Sequence, residues 1–156
     1  MRALIAMLRG HRIALQRYQQ RLGELQRELA TAQEVETASR ERYRAAQDYL
    51  RSQLAEEREL RIDLLLSAED HQQRCQAQIV QSERETQRCE KLVADQRREV
   101  ALAEKRQEKL QDLLESRRRL LDDEEQRREW VELDERVVAL RDTRRSGFEK
   151  DEKYGS

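Results

Sequence analysis

The sequence predicts an all-α fold, a long two-helix antiparallel coiled-coil hairpin with a short flexible C-terminal tail. Proline is absent and only 4 glycines occur in 156 residues, so the residues that usually interrupt helices are rare. Charged residues make up 42% and aromatic residues 4% of the chain. This balance gives too little apolar material for a layered core but enough for a narrow seam between helices.

The first helix is predicted over residues 3–65, from a heptad seam that begins at Leu4. Steps of four and three residues land on apolar side chains at most positions up to Leu64, which is typical of a coiled coil. Polar seam residues cost stability and help to fix the register of the two helices. The seam positions are Leu4, Leu8, His11, Leu15, Tyr18, Leu22, Leu25, Leu29, Ala32, Glu36, Ser39, Tyr43, Ala46, Leu50, Gln53, Glu57, Leu60 and Leu64.

A turn is predicted at residues 65–68. An apolar cluster, Leu64–Leu66, is followed by Ser67, and Asp70 comes three residues after that serine. Serine at a helix N-cap accepts a hydrogen bond from an otherwise unpaired amide, and an acidic residue in the first turn complements the helix dipole. The alternative interpretation is an ordinary serine in the middle of a helix.

The second helix is predicted over residues 68–144, so that residues 1–145 form a single hairpin domain. The run 122–129 carries no apolar residue, and an apolar stripe resumes after it in a shifted phase, which we expect to mark where the two arms separate. Residues 146–156 are predicted to be a disordered tail, because Gly147 follows the last seam residues. The second seam is Cys75, Ile79, Ser82, Thr86, Cys89, Val93, Gln96, Val100, Ala103, Gln107, Leu110 and Leu114, and the later stripe is Trp130, Leu133, Val137 and Leu140.

The sequence predicts no catalytic residues, no cofactor and no metal site. A two-helix coil offers no concave pocket in which reacting groups are held, so we expect the chain not to be an enzyme. His71 and Cys75 supply at most half of a zinc site, and a seam cysteine beside a turn histidine is the favoured interpretation. Cys75 and Cys89 lie about 21 Å apart along one helix, too far for an intrachain disulfide.

The N-terminal segment is strongly basic, although the formal net charge of the whole chain is -1. A transit peptide is disfavoured, because no serine occurs before Ser39. Three interpretations stay open: an interfacial membrane helix, a basic stem that docks onto an acidic protein surface, and a solvated face that is merely basic. Nucleic-acid binding is disfavoured, because it needs an unbalanced basic stripe. The arginines that precede the first acidic residue are Arg2, Arg9, Arg12, Arg17 and Arg21.

The chain resembles the YscO/FliJ family, the small stalk proteins of type III secretion systems and of the flagellar export apparatus. The resemblance lies in the basic opening LRGHRIALQRYQQRLGELQREL, the turn LLSAED and the charged second helix, and it spans nearly the whole chain. The string LSAED is similar to the Leu-Ser-x-Glu-acidic turn of some YscO-type members. The resemblance implies a cytoplasmic protein, peripheral to an inner-membrane secretion apparatus, with no transmembrane segment and monomeric in isolation.

The resemblance also implies three kinds of partner. The stalk lies in the central pore of a hexameric export ATPase, links it to the export-gate protein and binds secretion chaperones. The candidates for contact with the ATPase ring are Arg2, Arg9 and Arg12, with Arg141, Arg144 and Arg145 opposite them. The candidates for contact with the gate or a chaperone are Tyr43, Tyr49, Leu64, Leu65 and Leu66.

Two other classes of protein fit the same residues. In the runner-up, one continuous helix dimerises as a parallel scaffold coil, which would separate residues near 50 from residues near 80 by about 45 Å along the axis. In the third class, the basic N-terminal face binds a membrane surface or nucleic acid, and that binding falls steeply with added salt.

Overall fold

The chain forms two long helices that pack against each other. The structure, a computed structural model, describes residues 1–56 and 62–155. Helix α1 spans Arg2–Ala55 and helix α2 spans Ile62–Tyr154, with no strand among the described residues. The prediction of an all-α helical hairpin is therefore confirmed.

Side-chain contacts between the helices establish that α1 and α2 run antiparallel. The Gln96 amide donates to the backbone carbonyl oxygen of Tyr18 at 3.1 Å, and the Gln72 amide donates to the Tyr43 hydroxyl at 3.4 Å. Residue numbers thus rise along α1 as those of their partners fall along α2. The runner-up prediction of one continuous helix is wrong, because it would hold Tyr18 and Gln96 roughly 117 Å apart.

Residues Gly10–Arg106 form one of two compact units, and a closely packed seam lies between its helices. Buried side chains recur seven residues apart on α1 and three, four or seven residues apart on α2, which confirms the predicted heptads. Many of them are small, and small residues at the contact let two helix axes approach closely. The buried residues are Leu25, Ala32 and Ser39 on α1, and Cys75, Ser82, Thr86, Cys89, Val93, Val100 and Ala103 on α2.

Hydroxyl groups in this seam are satisfied unequally. Ser39 and Ser82 donate to carbonyl oxygens of their own helices, at 2.8 Å and 2.9 Å, so they enter the seam without an unpaired donor. Thr86 is also buried, but its Oγ1 has no hydrogen-bond partner among the described residues. A buried hydroxyl without a partner costs about 1–3 kcal/mol, so Thr86 is a weak point of the seam.

The Cys89 thiol lies in the same seam, beside an acidic side chain. It is 3% exposed, and its Sγ lies 3.9 Å from Oε1 of Glu85. Burial raises the pKa of the Cys89 thiol, and the negative charge of Glu85 raises it further. The thiol therefore stays protonated at neutral pH and packs as a small seam residue, as the sequence predicts.

The second compact unit combines Met1–Arg9 with the α2 residues from Gln107 onward. Leu8 of α1 and Leu114 of α2 are buried in it. The last half-buried residue of α2 is Leu121, and every later described side chain is exposed. The exposed part of α2 thus begins at the predicted phase shift. We call residues 122–153 the α2 extension.

The predicted turn at residues 65–68 is wrong. Helix α1 ends at Ala55 and α2 begins at Ile62, so residues 65–68 lie inside α2. Asp63 already places an acidic side chain in the first turn of α2, where it complements the helix dipole. Ser67 is therefore the mid-helix serine of the alternative interpretation. The predicted seam positions that lie outside the described residues are Glu57 and Leu60.

Helix α2 also continues past its predicted end at residue 144. It reaches Tyr154, so the prediction of a disordered tail over residues 146–156 is wrong for the residues up to 154. Gly147 costs a helix only about 1 kcal/mol relative to alanine, and no proline follows it. Glu149 precedes Lys153 by four residues, a spacing that stabilises an exposed helix.

Candidate protein-interaction surfaces

A groove opens between the end of α1 and the start of α2, within the unit Gly10–Arg106. Its volume is about 820 Å³, and its lining residues come from residues 42–56 and 64–78. The last buried residue of α1 is Ser39 and the first of α2 is Cys75, and the described side chains between these residues and the connection are only half-buried or exposed. We call this opening the hairpin-end groove.

Small and large apolar side chains both line the hairpin-end groove. Ala46 and Ala68 line it and are only half-buried. Leu50 and Leu65 line the same space and are also half-buried. Protein interiors are normally close-packed, so an apolar lining that stays open is a surface available to another molecule.

The five residues predicted for gate or chaperone contact do not all reach this groove. Tyr49, Leu64 and Leu65 line it, and Tyr49 and Leu64 are 60% and 63% exposed. Tyr43 lies half-buried in the adjoining seam, where its hydroxyl bonds to α2. Leu66 is exposed but is not one of the lining residues. The structure therefore brings three of the five together.

Two arginines lie at the inner end of the groove, away from the connection. Arg42 and Arg74 both line it, and neither forms an ion pair with another described residue. The Nε of Arg74 donates to the carbonyl oxygen of Asp70 at 3.4 Å, which uses one of five donors. Glu56 lines the opposite end. Sequence reasoning missed these charges, because single arginines are common throughout the chain.

His71 and Cys75 also line the groove. Their Nε2 and Sγ atoms lie 3.7 Å apart, and Cys75 is buried. Within residues 1–56 and 62–155 no three His, Cys, Asp or Glu side chains are grouped so as to hold a metal ion. The arrangement fits the interpretation of a seam cysteine beside a histidine.

The α2 extension carries the second candidate surface. Arg141, Arg144 and Arg145 are exposed on it, at least about 30 Å of helix beyond Leu121. The prediction that they lie opposite the N-terminal arginines stays a prediction, since no described contact joins the two groups. The N-terminal candidates are Arg2, Arg9 and Arg12, and all three are exposed on α1.

An apolar stripe runs along the α2 extension in the predicted phase. Trp130 is 68% exposed and Leu140 is 66% exposed, with Leu133 and Val137 between them. Exposed tryptophan in such a stripe is a favoured anchor of protein interfaces. The sequence predicted the spacing of these residues, whereas their exposure is visible only in the structure.

No known protein family, curated protein or solved structure matches this chain. Over the described residues, neither α1 nor α2 contains a stretch apolar and long enough to cross a bilayer. The hairpin-end groove and the α2 extension are therefore the features from which we infer function.

Proposed function

We propose that this chain is the central stalk protein of a type III secretion system, as the resemblance to the YscO/FliJ family implies. In this role it associates with the hexameric export ATPase, links that ATPase to the export-gate protein and binds secretion chaperones. It acts in the cytoplasm at the periphery of an inner-membrane apparatus. It catalyses no reaction of its own.

The α2 extension is the observation that carries this proposal. A ring that surrounds a stalk contacts it from all sides, so the stalk must present side chains around its whole circumference. Every described side chain of residues 122–153 is exposed, as such a contact requires. A single helix with its side chains is only about 10–12 Å across, which suits a narrow central pore.

The chemistry of the α2 extension supports the same role. Arg141, Arg144 and Arg145 follow the three- and four-residue spacing that places side chains on one helix face. A basic face of this kind steers association with an acidic partner. Trp130 and Val137 are seven residues apart and supply apolar contact once the helix has entered.

The test is binding of the purified chain to the purified hexameric export ATPase of the same organism, read by co-sedimentation and by the rate of ATP hydrolysis. We expect Arg141→Glu, Arg144→Glu and Arg145→Glu together to weaken binding at least about tenfold, because they reverse the steering charge. The matched control reverses three exposed arginines of the other unit and should change binding less than about twofold. The control substitutions are Arg84→Glu, Arg97→Glu and Arg106→Glu.

A further variant tests the apolar part of the contact. Trp130→Ala should weaken ATPase binding while leaving the thermal unfolding of the chain unchanged, since Trp130 is exposed. Absence of binding by the unmodified chain would contradict the proposal. An equal loss of ATPase affinity in the triple-arginine variant of the extension and in its charge-matched control would also contradict the proposal. Binding would then depend on the net charge of the chain and not on the extension.

A further inference from the structure

From the hairpin-end groove we infer that this protein binds an amphipathic helix of a partner protein. The apolar face of that helix lies in the groove, and acidic side chains at one of its ends meet Arg42 and Arg74. This inference deepens the proposed function and rests on it for the identity of the partner, because the hairpin end is the part assigned to the export gate or a chaperone.

The shape of the groove selects a helical segment. Its lining extends from Arg42 to Glu56 along one side, which corresponds to about 21 Å or four helical turns. Its volume of about 820 Å³ lies within the range of ordinary ligand sites. Because the space between the two helices is open beside Ala46 and Ala68, side chains of a third helix can enter it.

Eight of the fifteen residues that line the groove are apolar or aromatic. Leu50 and Leu65 are half-buried on opposite walls, and Leu64 and Tyr49 are exposed at the rim. Apolar side chains that recur on both walls match a stripe of apolar residues at three- and four-residue spacing in the partner. Tyr49 supplies a rim aromatic of the kind that anchors such contacts.

Charge decides which amphipathic helix fits. Arg40 illustrates a satisfied arginine in the same unit, since it pairs with Glu36 at 2.7 Å and with Glu83 at 3.0 Å. Arg42 and Arg74 have no such partner among the described residues, and both lie at one end of the groove. Guanidinium groups bind carboxylates in a bidentate manner, so they favour acidic residues at the corresponding end of the partner.

A second copy of this chain is the competing occupant. Its own stripe from Trp130 to Leu140 is exposed and follows the acidic run 122–125. Insertion of that segment into the groove of another copy would be a head-to-tail contact, which grows beyond one copy either into a closed ring or into an open filament. A discrete stalk is incompatible with such growth, and we therefore assign the groove to a different protein.

The test measures fluorescence anisotropy of two labelled peptides with the full-length chain. Both are designed 18-residue helices with leucines at three- and four-residue spacing, and one carries three glutamates at its C-terminal end where the other carries three lysines. We expect the acidic peptide to bind at least about tenfold more tightly than the basic one at low salt. Equal affinity of the two peptides, or no binding of either, would overturn the inference.

Variants locate the binding in the groove. Arg42→Glu with Arg74→Glu should reverse the preference between the peptides, whereas Arg97→Glu with Arg106→Glu should leave it within about twofold. Ala68→Leu should fill the groove and abolish binding of both peptides while the far-ultraviolet circular dichroism stays unchanged. Unaltered binding by a folded Ala68→Leu variant would place the peptide elsewhere and overturn the inference.

Two further measurements separate this inference from its alternatives. In sedimentation equilibrium, the molar mass of the chain should not rise with protein concentration. If the mass does rise, and Trp130→Ala abolishes that rise, the groove belongs to a second copy of the chain and the inference is overturned. If the chain binds the acidic peptide but does not bind the export ATPase, the stalk proposal is overturned and the inference about the groove stands. A chain that binds the ATPase but does not prefer the acidic peptide would overturn only the groove inference.

Discussion

Two segments of α2 have similar patterns and different surroundings. In the segment 79–114, apolar residues at heptad spacing pack in the seam, and Val93 is 3% exposed. In the α2 extension, the stripe has the same spacing, yet Val137 is 46% exposed. The comparison teaches that a heptad pattern marks a face able to make contact, while only a second helix opposite turns that face into a core.

The largest expected effect comes from placing the same charge in each segment. Val93→Asp puts an uncompensated carboxylate into the seam, and we expect it to lower the free energy of unfolding by about 3 kcal/mol or more. Val137→Asp should change it by less than about 0.5 kcal/mol, because that side chain already faces water. Urea unfolding followed by circular dichroism measures both. A similar loss in the two variants would mean that the extension is packed.

A smaller effect, this time an increase in the free energy of unfolding, is expected from removing a buried hydroxyl group. Thr86→Val replaces an unpaired seam hydroxyl by a methyl group of similar size and should raise the free energy of unfolding by about 1 kcal/mol. Thr143→Val is the matched change in the extension, where the hydroxyl donates to the Ala139 and Leu140 carbonyl oxygens at 3.1 and 2.9 Å. We therefore expect that Thr143→Val does not raise the urea midpoint. Destabilisation by Thr86→Val would show that this hydroxyl is satisfied in solution.

Glycine replacement sharpens the same comparison. A Cβ atom at Gly10 or Gly147 would meet no heavy atom within 4 Å, so alanine fits at both. Each change should favour its helix by about 0.5–1 kcal/mol. Gly10→Ala should raise the urea midpoint, whereas Gly147→Ala should only slow amide hydrogen exchange within the extension. The reason is that the extension packs against no other described helix and is expected to unfold locally, so a raised midpoint for both variants would contradict this expectation.

The smallest expected effect concerns pH and the seam alone. The folded chain holds the Cys89 proton more tightly than the unfolded chain, because the pKa of the buried thiol is raised above 9.0. The resulting stabilisation is complete below the ordinary thiol pKa and is lost as pH rises through the raised pKa. Stability measured from pH 7 to 10 should therefore fall more in the unmodified chain than in Cys89→Ala. If the stability of the two proteins falls equally with pH, the result would contradict the buried position of the Cys89 thiol.

Heptad spacing predicted most of the seam, because the helical period fixes which side chains share a face. The predicted positions from Leu4 to Leu50 and from Cys75 to Leu114 are buried or half-buried, with Tyr18 as the exposed exception. This holds for polar positions as well as for leucines, since the period does not depend on which residue occupies each step. The sequence therefore located the face of each helix that meets the other.

The ends of the helices and the hairpin-end groove were harder to predict, for a physical reason. The capping pattern at Ser67 is compatible with both a turn and a helix interior, and the register of the two arms decides between them. Alanine at Ala46 and Ala68 is equally compatible with a closely packed seam and an open one. Whether the backbones approach there depends on the whole helix pair, so the groove became visible only in the structure.

The contact between Gln96 and the Tyr18 carbonyl has a mechanical consequence for the unit Gly10–Arg106. A seam of repeated heptads still matches itself after one helix slides by seven residues, or about 10 Å. Such a slip would break the Gln96 contact and the Arg40–Glu83 pair, which lie far apart along the seam. Each contact is weak alone, but a slipped register satisfies neither. Sliding one helix of this unit past the other by a heptad therefore has to break both contacts.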